Sequence, residues 1–85
     1  MKIEVTQQDI DKGLNNNCFL CPIAHAVKRK MGTDSVLVYC DRITVISTIS
    51  CYFYKLPKKA RTFIKRFDDR KPVEPFTFEI EKDLK

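Results

Sequence analysis

Eighty-five residues, 44% of them hydrophobic and 32% charged, can build one small core and are too apolar for a disordered tail. No apolar run approaches the roughly 20 residues of a membrane span, and two glycines with four prolines exclude a low-complexity segment. The net charge of +5 is unevenly spread, with acids at both ends and bases in two interior stretches. That asymmetry points to an anionic partner: nucleic acid, a nucleotide or an acidic protein face.

The N-terminal MKIEVTQQDID carries acids and no hydrophobic signal core, so a cytoplasmic protein with reduced cysteines is expected. Lys2 to Val5 reads as a short strand. Thr6 is a suitable N-cap for a helical segment over QQDIDK, with Asp9 in its first turn and Gly13 closing it. Asn15, Asn16 and Asn17 form a loop. A second helix starts near Cys21, since proline at 22 suits a first turn. Its apolar residues at 20, 23, 24, 27 and 31 keep helical spacing, and Gly32 stops it. Lys28, Arg29 and Lys30 complement the negative end of its dipole.

SVLVYC, ITVIST and SCYFYKL follow as three strands of an antiparallel meander, with a polar break at Asp41-Arg42 and a turn near Ser47–Ser50. Cys40 and Cys51 lie in these apolar runs, where free cysteine acts as a small buried hydrophobe. A third helix is expected from Pro57 to Phe67, its apolar stripe made by Leu56, Ala60, Phe63, Ile64 and Phe67. FTFEI then alternates as a half-buried strand, with Phe76, Phe78 and Ile80 inward. Residues 82–85 are expected to fray. The order β-α-α-β-β-β-α-β over a single domain, 1–85, implies an α+β fold: a small antiparallel or mixed sheet with helices packed on one face.

Three chemistries compete for the stretch CFLCPIAH. Cys18, Cys21 and His25 follow C-x2-C-x3-H, and Cys40 or Cys51 could complete a zinc tetrahedron, but no second paired spacing supports one. Redox chemistry lacks the strand context of a thioredoxin pair. Nucleophilic catalysis by Cys21 with His25 lacks an orienting carboxylate or amide, and the helical wheel places His25 beside Lys28 and Arg29, on the exposed side. A capped helix start is the simpler reading. No Gly-rich phosphate loop or nucleophile elbow occurs, so neither a cofactor nor an enzyme is expected.

The other constellation is basic. Lys55, Lys58, Lys59, Arg61, Lys65, Arg66, Arg70 and Lys71 could neutralise phosphates or carboxylates while Tyr52 or Tyr54 stacks on a base. The bland alternative is a solvated amphipathic helix.

VTQQDIDKG, CPIAHAVKRKMG, YKLPKKARTFIKRFD and VEPFTFEI occur in that order over nearly the whole chain. Together they resemble a family of short phage and prophage proteins. Its pattern is V-T-x-x-x-I-x-x-G, then C-P-[IV]-A-x-A, then Y-x-L-P with F-I-x-x-F-D, then P-F-x-F. The resemblance brings no activity and no catalytic residues. It implies a small viral accessory protein, and it makes only the second cysteine of the pair characteristic. The expected function is binding: inhibition of a host protein or complex, such as a defence system, through the basic surface. The alternatives are an oligomeric sponge for an anionic nucleotide and a non-specific nucleic-acid binder. Apolar groups on both faces of the strands at 36–39 and 52–54 lead us to expect a homodimer.

Overall fold

The computed structural model of the chain describes residues 1–39, 41–47 and 49–81. The expectations for Cys40, for Thr48 and for a frayed tail at 82–85 lie outside these residues. The element order is β1 (Lys2–Val5), α1 (Gln7–Lys12), α2 (Pro22–Met31), β2 (Val36–Val38), β3 (Arg42–Ile46), β4 (Cys51–Lys55), α3 (Lys58–Asp68) and β5 (Phe76–Glu79). The fold is α+β, in the expected order. Its strands form two antiparallel sheets, one pairing β1 with β5 and one ordered β2-β3-β4.

Period-two alternation decides which side chains face the core. β1 buries Ile3 and Val5 opposite Phe78 and Phe76. In the three-stranded sheet Val36 and Val38 pair with Val45 and Ile43, which pair in turn with Tyr52 and Tyr54. These rows face the core. The opposite row runs Leu37, Thr44, Phe53 in register. Thr44 is buried, flanked on this row by Leu37 and Phe53.

α2 supplies the centre of the core through Pro22, Ile23, Ala24, Ala26 and Val27. Its stripe differs from the expectation at one end: Leu20 precedes the helix and is exposed. α3 contributes Ala60 and Phe63, with Ile64 and Phe67 packed against the same cluster. Phe63 stacks on Phe76 at 4.7 Å between centroids, and Phe76 on Phe78 at 5.4 Å, so a ladder of rings joins α3 to β5.

Local chemistry sets the helix ends. Thr6 and Asp9 form a reciprocal capping box on α1. Gly32, at φ 66°, closes α2 in the left-handed conformation, its N–H bonding the Lys28 carbonyl at 2.8 Å. α3 has no side-chain cap at Pro57 and no acid in its first turn.

Candidate binding surface

The C-x2-C-x3-H stretch is built as a helix start. Cys21 is the N-cap of α2, and its sulfur accepts the Ala24 N–H at 3.4 Å. Burial pushes the Cys21 thiol pKa up, which leaves less thiolate for metal binding or attack. Among the described residues no three His, Cys, Asp or Glu side chains are placed to hold a metal ion, so Cys18, Cys21 and His25 are not brought together as ligands. His25 departs from its expected exposed position. It is half-buried, and its Nε2 is buried without a hydrogen-bond partner among the described residues. The buried face of α2 is wider than the stripe suggested, since it also takes in Pro22 and Ala26. Cys51 also departs: alternation puts it on the outward row of β4, and it is exposed.

The first basic cluster is spent on structure. Lys28 Nζ donates to the Phe19 carbonyl at 2.7 Å. Arg29 donates to both carboxylate oxygens of Asp9 and to the Glu4 carbonyl. Lys30 is exposed, without such a bond among the described residues.

The second cluster is different. Lys55 ends β4, Lys58 to Arg66 lie along α3, and Arg70 and Lys71 follow it; all eight cations are exposed. Among the described residues none of them pairs with a carboxylate. Arg66 donates to the Pro72 carbonyl at 3.0 and 3.3 Å, a neutral acceptor that leaves its charge uncompensated. The Lys59 ammonium lies 5.6 Å from the centre of the Phe76 ring. Helical spacing places Lys58 and Lys65 on the crest of α3, Lys59 and Arg66 on one flank and Arg61 on the other. Two of these lysines occupy the first turn, where the helix dipole favours acids.

The tyrosines are not part of this surface. Tyr52 and Tyr54 are half-buried on the inward row of β4, packed against the core. Sequence alone placed them near the lysines but could not say which parity of the strand faced inward.

No protein-family model, no curated protein and no solved structure matches the chain. The site must therefore be read from its own chemistry.

Open hollows surround the cationic flank. One, of about 470 Å³, lies where α2 meets β1 and β5, lined by Lys2, Glu4, Arg29, Lys30 and Thr77. Sequence reasoning missed it because Lys2 and Lys30 come together only in the fold. A second, of about 430 Å³, lies between α3 and the loop before β5. The outward row of the three-stranded sheet exposes Ile46 and Phe53, with Tyr39 just after β2 and Ile49, at 90% exposure, between β3 and β4. No helix among the described residues is long and apolar enough to cross a membrane.

Proposed function

We propose that this chain is a non-enzymatic, cytoplasmic binding protein that docks the basic face of α3 on an acidic surface of a host protein and so inhibits it. The observation that carries the reading is the unpaired charge. Eight exposed cations between Lys55 and Lys71 lack a carboxylate partner among the described residues, although the chain has eleven acids. Two of them, Lys58 and Lys59, sit at the end of a helix that disfavours them. A local arrangement that works against stability is the usual mark of a residue kept for binding. Long-range attraction from such a face speeds encounter with an acidic partner. The resemblance to phage proteins supplies the host context, with a defence complex as the target class.

A homodimer belongs to the same proposal. The outward row with Leu37, Ile46 and Phe53 is apolar on the side opposite the helices, and a second copy would cover it.

The experiment is affinity capture from host lysate, with and without nuclease, using the unaltered protein and a Lys58→Glu, Lys59→Glu, Arg61→Glu variant. One stoichiometric protein, retained after nuclease and lost by the variant, is the expected result. Equal capture by the variant would overturn the placement of the site. Capture that nuclease abolishes would put nucleic acid in the partner's place.

A further inference from the structure

We infer that the hollow between α3 and the loop before β5 receives one bulky apolar side chain from an acidic peptide segment of the partner. This inference rests on the acidic-partner reading and names the point of contact. The floor is apolar: Phe63, Val73 and Phe76, walled by Pro72 and Pro75. At about 430 Å³ it has room for a phenylalanine or leucine side chain. Its mouth is cationic, with Lys59 and Arg66 seven residues apart on one flank of α3, about 10 Å along the helix. One acid, Glu74, lies on the rim.

The geometry holds the hollow open. Arg66 ties the loop to α3 through the Pro72 carbonyl, and two prolines stiffen that loop. An apolar hollow braced in this way beside cations has the form of anchor sites at protein interfaces, where one buried side chain dominates affinity.

Charge complementarity selects the occupant. Lys59 and Arg66 line the site and Lys58 and Lys65 lie on the adjoining crest of α3, so the segment entering it carries carboxylates on either side of its anchor. The same basic face of a second copy would bring like charge against like. A nucleobase needs an open ring face on which to stack. Phe76 lies between Phe63 and Phe78, with the Lys59 ammonium close above it, and the exposed rings Phe19, Tyr39 and Phe53 lie elsewhere.

The test is fluorescence anisotropy at low salt with three labelled probes: a glutamate decapeptide with a central phenylalanine, the same peptide with a central alanine, and a single-stranded oligonucleotide. The phenylalanine peptide is expected to bind about tenfold tighter than the alanine peptide, from burial of the ring. Thr62→Trp, which fills the hollow from an exposed position on α3, should reduce that ratio to about twofold. Should that variant misfold by circular dichroism, the aromatic proton shifts of Phe63 and Phe76 in the unaltered protein give the same answer: they move with the phenylalanine peptide. Equal binding of the two peptides, or unshifted rings, overturns the anchor pocket while the acidic-partner reading stands. Binding of the oligonucleotide alone, or of no probe, overturns both.

Discussion

Arg29 holds Asp9 with both ends of its guanidinium, Nη1 to Oδ1 at 2.7 Å and Nη2 to Oδ2 at 3.0 Å. The same carboxylate accepts the Thr6 N–H at 2.9 Å and the Thr6 hydroxyl at 3.1 Å. A single buried acid thus caps α1 and ties it to α2, and through the Glu4 carbonyl Arg29 adds β1. Burial alone would raise the Asp9 pKa, but the bonds from Arg29 and Thr6 outweigh it and hold the carboxyl below its ordinary value. A depressed folded pKa stabilises the protein above the unfolded value, near 4, and that contribution is lost as pH falls through the folded value. Asp9→Asn should therefore cost about 1–2 kcal/mol near neutral pH, where half the Arg29 side chain is in screening solvent. Urea melts should find the gap between variant and parent narrowing as pH falls below the unfolded value, near 4.

Lys58 and Lys59 oppose the dipole of α3. Lys58→Glu together with Lys59→Glu should raise stability by about 0.5–1.5 kcal/mol, read as a higher melting temperature, while weakening partner capture. Were these lysines there only to solvate the helix, the same variant would gain stability and lose no binding.

The cysteines should separate by accessibility. Cys51 is exposed, Cys18 is partly covered, and Cys21 is buried with its thiol pKa raised. Among these three, timed alkylation followed by peptide mass spectrometry should label Cys51 first and Cys21 only on unfolding. Cys21→Ser should keep the cap and cost under about 1 kcal/mol, whereas Cys21→Val removes the acceptor and should cost about 1–2.

Gly13, Gly32 and Arg70 divide by cause. A Cβ on Gly13 would lie 2.5 Å from Pro22 Cδ, and Pro22 is buried, so Gly13→Ala should cost about 1–3 kcal/mol. Gly32 has open space around it but a φ of 66°, so Gly32→Ala should cost about 1 kcal/mol and Gly32→Asn less. Arg70 closes α3 at φ 61°, with the Lys71 N–H on the Arg66 carbonyl, in a conformation that favours glycine. Arg70→Gly should gain about 1 kcal/mol. Denaturant midpoints of the four variants check the order.

The outward row of the three-stranded sheet gives the dimer its test. Phe53 is 40% exposed beneath the Arg42 guanidinium, which lies 5.9 Å from its ring centre. Sedimentation equilibrium should show a dimer for the parent chain and a monomer for Phe53→Lys. A monomeric parent at micromolar concentration would exclude this interface.

Much of the local architecture was legible in the residues themselves. Thr6 with Asp9 announced a cap, Pro22 a helix start, Gly32 a helix stop, and Phe76-Thr77-Phe78 a half-buried strand, because each signal acts within a few residues. The basic run from Lys55 to Lys71 was equally plain. The end of α3 near Phe67 was legible too, but the left-handed Arg70 that follows it was not, since no glycine marks it and the structure pays for that conformation with the bonds that close α3.

Sequence by itself determined the order of elements, the apolar stripe of α3 and the excess of positive charge, because periodicity and composition are local properties. Only the tertiary structure decided that β1 pairs with β5 across the length of the chain, leaving β2, β3 and β4 as a separate sheet. It also decided that Arg29 is consumed by Asp9 while Lys58 is not, that Tyr52 and Tyr54 face inward, and that Phe63, Val73 and Phe76 floor a hollow. The physical reason is common to all of them. Pairing, burial and cavity shape depend on which distant groups meet, and no window of sequence holds both partners.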